Sequence, residues 1–344
     1  MRLQRNLIGV GLVCAACAIG APANRQGHYK EAYPSPNGQY IFVWDGSALY
    51  KQNGQQFYRF PGDTNFFNIH FTPWGEHNRF LYLMRVSKNQ AKIVRFDVRS
   101  KKCSVFDTGG AVAASLVPSP SGRYIAYQVG CKHMYAPLLG ILDTQAKEKQ
   151  DRKVAIYPFR FYAERFAWVT DRLLFVHTEG KDLGTEFPNR VYFGKYVDTD
   201  SEDFLLDWQK VASKRYLLPF EISSLAPYAD ASGRLIGLAR KDGKRCIVSI
   251  DPYTGENRVE KELPASKSGW FLVWSSPERV YVWCVVKQGE IEMYVYRASA
   301  SPHVGARHLV EVPGALPWSW TTDANGRLWW FDGKGLKSVQ LPLE

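Results

Sequence analysis

Short apolar runs separated by polar turns fill almost the whole chain, and helical periodicity is nearly absent. Runs of about four to eight apolar residues bounded by Gly, Pro, Asn and Asp are the signature of β-strands. One arrangement recurs. Ser35-Pro36-Asn37-Gly38 precedes the run 39–43, and Thr72-Pro73-Trp74-Gly75 precedes 79–83. Ser119-Pro120-Ser121-Gly122, Asp230-Ala231-Ser232-Gly233 and Asp323-Ala324-Asn325-Gly326 each lead into a further run. Units that repeat in this way bury their apolar faces only by stacking on their neighbours.

A second marker sets the register. An apolar residue and a proline occur at Phe60-Pro61, Tyr157-Pro158, Leu218-Pro219, Leu263-Pro264 and Val312-Pro313, each 13 or 14 residues before a turn anchor. Gly109-Gly110 takes the place of the proline before Gly122. The spacing identifies Asp171 and Glu278 as anchors that have lost their glycine, so seven anchors organise the chain: 38, 75, 122, 171, 233, 278 and 326. The fifth unit shows the pattern well, with strands over 235–240, 245–251 and 257–263 and turns at 242–243 and 252–255. Units of about four strands at a period near 45 residues predict an all-β fold, a β-propeller of four-stranded antiparallel blades. Seven blades fit the anchors, with six the alternative. The interval from Asp171 to Gly233 is 62 residues long. We read its excess, near 181–215, as an insertion in the fourth blade, with 203–215 a short helix. Few residues follow Gly326, so the last blade is expected to be short or completed by other means.

The turns resemble the Ser-Pro-Asp-Gly motif of TolB-like and WD40-like (PD40) propeller repeats, found also in prolyl-oligopeptidase propellers. Positions 35–38 and 119–122 match best, while other turns keep only the glycine. The resemblance implies a propeller and an envelope role. TolB carries a separate N-terminal domain, for which the region before Gly38 offers no room. The peptidases carry a hydrolase domain with a Gly-x-Ser-x-Gly elbow, and no such pentapeptide occurs.

Composition refines the picture in three places. The aromatic share is 14%, with 11 Trp, and flat aromatic rings suit pleated sheet surfaces. Residues 1–23 read as an export signal: Arg2 and Arg5, an apolar stretch from Leu7 to Ile19, then Ala21-Pro22-Ala23 as a cleavage site. Alternatives are a lipoprotein signal using Cys17 and a retained anchor. The expected location is periplasmic or secreted, with membrane contact only through that terminus. The net charge is +11, and the signal accounts for two arginines and no acids, leaving +9 over the propeller, 24–344. Of six cysteines, four follow the signal, none in a CxxC pair; the spacing leaves disulfides and buried free thiols equally open.

Motifs for chemistry are absent. There is no P-loop, no Gly-x-Gly-x-x-Gly and no His-Glu-x-x-His, and the seven histidines are scattered. The acidic stretch 198–203 lacks the glycine and terminal glutamate of a calcium loop and reads as a solvated loop. No metal and no cofactor are therefore expected. Basic runs at 99–102, 147–153 and 240–245 read first as charges that discourage edge pairing. Nucleic acid is not an expected partner of an exported chain, whereas a protein partner or an anionic glycan is compatible with the positive field.

The repeat phase points to binding residues. Segments joining an outer strand to the next innermost strand should open onto the funnel, and these are 61–67, 109–114, 158–165, 219–224, 264–270 and 313–318. They differ in chemistry, offering Asn65 and Phe67; Arg160, Tyr162 and Glu164; Glu221; Lys267 with Trp270; and Trp318. His70 should end an innermost strand and face the axial channel. Trp and Arg are the types that anchor interfaces, although Trp270 and Trp318 could equally pack between blades. The leading expectation is an exported, non-catalytic module that binds a protein partner at the funnel face. Two alternatives are a hydrolase or lyase using His70, Glu164 or Glu221 in the channel, and a glycan-binding envelope protein.

Overall fold

Turns with glycines of positive φ stand at the same place in four of the sheets, between the first and second strands, and mark the repeat of the topology. A computed structural model of the chain describes residues 32–43, 48–60, 66–71, 79–87, 90–108, 112–130, 138–145, 154–157, 166–179, 192–198, 215–312, 321–331 and 335–344. The first sheet holds β1 (Ala32–Pro34), β2 (Tyr40–Val43), β3 (Ala48–Lys51) and β4 (Gln56–Arg59), paired in chain order. The second holds β5 (Phe66–Phe71), β6 (Phe80–Ser87), β7 (Gln90–Asp97) and β8 (Lys102–Asp107). The third holds β9 (Val112–Pro118), β10 (Tyr124–Gly130), β11 (Leu138–Asp143) and β12 (Val154–Tyr157). The fourth holds β13 (Phe166–Trp168), β14 (Leu173–Glu179), β15 (Tyr192–Asp198) and β16 (Arg215–Leu218). In β5, β12 and β15 the backbone alone is described.

The fifth sheet holds β17 (Glu221–Leu225), β18 (Leu235–Lys241), β19 (Lys244–Ile250) and β20 (Asn257–Glu262). The sixth holds β21 (Phe271–Ser276), β22 (Arg279–Lys287), β23 (Glu290–Arg297) and β24 (His308–Glu311). The seventh has three described strands, β25 (Thr321–Thr322), β26 (Arg327–Phe331) and β27 (Leu336–Gln340). All pairings within the sheets are antiparallel. First strands of neighbouring sheets touch one another, and β1 meets β25 and β26, so the first strands form the hub and the last sheet closes on the first. The fold is the all-β propeller that the repeat predicted; beside the last sheet, 313–320 and 332–334 lie outside the described residues. Of the inserted region, 180–191 and 199–214 lie outside the described residues, including most of the expected helix.

Hydrophobic burial between sheets holds the array together. Phe42, Leu49, Leu81 and Phe96 join sheets one and two, and Tyr124, Ile141, Phe166 and Val176 join three and four. Phe175, Leu218, Ala239 and Val248 join four and five, while Ile236, Ile247, Val282 and Tyr296 join five and six. Trp283, Met293 and Leu328 join six and seven, and Ile41, Val43 and Trp329 close seven onto one. The second and third strands of the sheets bury alternate residues against opposite neighbours, which explains why they are apolar on both faces, while the outer strands β8, β20 and β24 are largely exposed.

The anchor turns do more than reverse the chain. Gly38, Gly122, Gly233 and Gly326 have φ of 69, 74, 80 and 76°, a region open to glycine at no steric cost. The first residue of each turn caps it from inside: Ser35 Oγ accepts from Tyr40 N at 3.0 Å, and Ser119 Oγ from Tyr124 N at 3.1 Å. Asp230 Oδ1 accepts from Arg234 N at 2.9 Å, and Asp323 Oδ1 from Arg327 N at 3.0 Å. These four side chains are buried, so the cap satisfies groups that water cannot reach.

Turns also bond to turns. Ala324 N–H donates to Pro36 O at 2.7 Å and Ala231 N–H to Pro277 O at 2.7 Å, each from one sheet to the next. Ser121 N–H and Oγ–H donate to the carboxylate of Asp171 at 2.7 and 2.6 Å, so this glycine-less anchor serves as an acceptor. Tyr82 Oη donates to Gly122 O, Ser275 Oγ to Asp323 O, and Tyr296 Oη to Asp230 Oδ2. Burial lifts the Tyr82 phenol to about 12, which keeps it a donor at neutral pH.

The second turn position is Pro at 36 and 120 but Ala at 231 and 324, and the two alanines are the ones that donate. Ala231→Pro should therefore destabilise the fold by about 1–2 kcal/mol, because a carbonyl in the belt loses its donor. The sister turns already carry proline there, so ring geometry is not the cause. Urea denaturation decides it, and an unchanged midpoint would show that the bond contributes nothing.

Candidate functional site

Opposite the belt lies the face where outer strands connect to the next hub strand. The connection from β20 to β21, residues 263–270, is described throughout. Leu263 is buried and its N–H donates to Arg245 O at 2.8 Å. Trp270 ends the segment 5% exposed, with its indole N–H donating to Pro264 O at 2.9 Å and its ring 5.6 Å from that of Tyr294. Gly269, at φ 78°, turns the chain between them.

Ser268 ties this loop to the sixth sheet. Its hydroxyl donates to Val285 O at 3.1 Å and accepts from Val285 N–H at 2.9 Å. Lys267 sits at the apex and is exposed. A loop tied down at Ser268 and Trp270 has little backbone freedom left to lose when Lys267 binds, a condition that favours affinity.

Below the loop an ion pair joins a buried carboxylate of sheet six to an exposed arginine. Glu292, 7% exposed, pairs with Arg307 at 2.9 Å and lies in register with Cys284. Burial pushes the Cys284 thiol above its ordinary range, and it does the same to Cys246. Cys103, Cys246 and Cys284 are free thiols. Raised thiols are poor nucleophiles at neutral pH, so neither buried cysteine is equipped for catalysis. Among the described residues, no three His, Cys, Asp or Glu side chains group as metal ligands do.

The sequence-predicted residues are distributed unevenly. Glu221 opens β17 and pairs in register with Arg240, and Arg245, opposite Arg240, approaches Gly269 of the loop that carries Lys267, so Glu221 and Lys267 belong to one region of the face. Trp270 lies beneath that corner as part of the core between sheets five and six, which is the packing role its sequence also allowed. Phe67 and His70 fall in β5, His70 in register with Tyr82. Asn65, Arg160, Tyr162, Glu164 and Trp318 lie outside the described residues. Arg240 and Arg245 are the neighbours that sequence reading set aside as edge charges, and the run 240–245 was their signal.

At the belt end of the hub the chemistry is different. Trp168 is fully buried and its indole N–H donates to Val117 O at 3.0 Å. Its backbone bonds to the segment after β17, with Trp168 N–H to Pro227 O and Ala229 N–H to Trp168 O, both at 2.9 Å. Tyr228 crosses the inner edge of the fourth sheet to donate to Pro118 O at 3.0 Å, and Trp274 meets its ring at 5.1 Å. Burial holds the Tyr228 phenol well above its ordinary value. Sheets three to six are thus joined by aromatic side chains at this end.

A shallow depression of about 330 Å³ on the belt side is lined by Gln39, Tyr40, Lys51, Gln52 and Asn53. All but Tyr40 are exposed.

No protein-family model matches this chain, and no curated protein sequence does. Solved structures do match in fold. Hydrazine synthase of Kuenenia stuttgartiensis aligns over 94% of this chain and 100% of that one, at 12% identity and a TM-score of 0.60. Oligogalacturonate lyase of Vibrio parahaemolyticus aligns over 91% of this chain and 92% of its own, at 12% identity and a TM-score of 0.56. TolB of Acinetobacter baumannii aligns over 82% of this chain and 63% of its own, at 12% identity and a TM-score of 0.47. At such identities the likeness is one of fold alone, a β-propeller.

Proposed function

We propose that this chain is an exported, non-catalytic propeller module that binds a protein partner on the face where outer strands connect to the hub. The observation that carries it is the contrast between the two faces. On the belt side, anchor turns bond to the turns of the next sheet, through Ala231, Ala324 and Ser121. On the connection side, the loop 263–270 is pinned by Ser268 while leaving Lys267 exposed. A rigid scaffold presenting polar loops is a common way to build a binding surface. Enzymes occur among the structural neighbours by name, but the fold carries no chemistry by itself.

The test places a photo-crosslinking amino acid at Lys267 in the mature protein and, in a second sample, at Asn53 on the belt side. A partner captured from the native envelope through position 267 and not through 53 is the expected result. Capture from both positions alike, or from 53 alone, overturns the reading. Export is tested by the mass of the mature N-terminus, expected to begin at Asn24. Because Trp270 is core, Trp270→Ala reports on stability, and Lys267→Glu is the surface substitution that should abolish capture.

A further inference from the structure

The β18–β19 hairpin is built against an elementary rule of sheet pairing. Arg240 lies directly opposite Arg245, and Lys241 directly opposite Lys244. Like charges in cross-strand register repel, and opposite charges there would stabilise. Two consecutive like-charge pairs at one hairpin end are therefore a local cost. Two of the four have an acid beside them: Lys244 pairs with Glu262 at 2.8 Å, and Arg240 stands opposite Glu221 on its other side. Among the described residues neither Arg240 nor Arg245 has an ion-pair partner, and both are exposed.

Alternation along the strands says where these charges point. Leu238 and Ile247 pack toward sheet six, whereas Ala239 and Cys246 pack toward sheet four. Arg240 and Arg245 share the parity of the first pair and so face sheet six, beside the pinned loop. Arg245 reaches that loop, its Nη1 lying 3.5 Å from where a Cβ on Gly269 would stand. Lys267 is two residues away. Lys261 lies lower on the same side, over the Tyr294 ring at 5.7 Å. A like-charge pair kept in register on an exposed strand end marks a site held for another purpose.

We infer that Arg240 and Arg245, with Lys267 beside them, form an anion-docking fork that takes an extended acidic segment of a protein partner. This rests on the reading of the connection face as the docking face. Opposed residues have Cβ atoms about 5 Å apart, and alternate side chains on an extended strand stand roughly 7 Å apart. Long arginine side chains splay to meet that spacing, and each guanidinium can hold a carboxylate through two parallel hydrogen bonds. The site is a ridge and not a pocket, which suits a chain laid across it better than a small ion enclosed.

The experiment uses the full mature chain and a fluorescein-labelled peptide of about eight residues with Glu at alternate positions, read by anisotropy at low ionic strength. Arg240→Gln with Arg245→Gln should weaken binding by about tenfold or more. The same double variant should not lower the thermal midpoint, because the repulsion between the arginines that is lost offsets the attraction of Arg240 to Glu221. Lys51→Gln with Lys102→Gln removes two charges from the belt side and should leave affinity within about twofold. Equal loss in both doubles means net charge alone, and overturns the fork. A lowered midpoint in the arginine double also overturns it, since the pair would then be structural. Displacement of the peptide by inorganic phosphate or trigalacturonate, at lower concentration than by unlabelled peptide, overturns the ligand class. Peptide binding without envelope capture at position 267 sinks only the proposed function. Capture at 267 with peptide binding indifferent to both arginines sinks only the fork.

Discussion

Gly38→Ala is expected to destabilise the protein by about 3 kcal/mol, while Gly54→Ala costs only about 1 kcal/mol. Both glycines have positive φ, 69° and 82°, so both substitutions carry the same backbone penalty. Their surroundings differ. A Cβ on Gly38 would lie 2.5 Å from Asp323 Oδ2, whereas one on Gly54 meets nothing within 4 Å. Asp323 cannot yield freely, because its carboxylate accepts from Asn325 N, Arg327 N and the Trp329 indole at 2.9, 3.0 and 3.1 Å. It is buried, so a broken bond there is not replaced by water. Gly38 belongs to the first sheet and Asp323 to the last, so the added cost measures the closure between them. Paired urea titrations give the answer. Equal losses at the two glycines would falsify the claim that this contact closes the array.

Trp168→Ala should be costlier still, about 4 kcal/mol, within the range for truncating a buried tryptophan. The indole is fully buried, lies 6.4 Å from the Tyr124 ring and donates to Val117 O, so truncation leaves a cavity and an unpaired carbonyl. Tyr228→Phe removes one hydroxyl from the same cluster and should cost about 1–2 kcal/mol by stranding Pro118 O. The two share neighbours, so their double variant should fall short of the sum. Calorimetry of the three variants tests this; strict additivity would mean that Trp168 and Tyr228 act independently. A single broad loss of cooperativity would instead show that sheets three to six unfold apart from the rest.

The repeat made the architecture readable because turn and strand are local. Glycine at positive φ, Ser or Asp capping five or four residues ahead, and proline after an outer strand are all short-range devices. They located even the turns at Asp171 and Glu278, where the glycine is gone. What they could not reveal was lateral. That Arg240 faces Arg245 depends on hairpin register, and a basic run reads alike whether its members repel or alternate. The bond from Ala231 to Pro277 joins residues 46 positions apart, visible only once sheets stand side by side. Trp270 shows the same limit: an aromatic at the end of a connection has one sequence and two possible fates, and its indole bond to Pro264 O decides for the core. Export and the identity of the partner rest on the N-terminal residues and on partner chemistry, to which packing is indifferent.

The alternation of alanine and proline in the anchor turns has a consequence for how such a chain can be rearranged. The donors at Ala231 and Ala324 each look toward a proline turn in the following unit, and Ser121 looks toward Asp171. A circular permutant that reopens the ring between other units keeps every donor beside its acceptor. Exchanging two units does not, because a proline turn moved into a donor's place has no hydrogen to give. The repeats look interchangeable, but they have an order, and it is written in which backbone nitrogens still carry a proton.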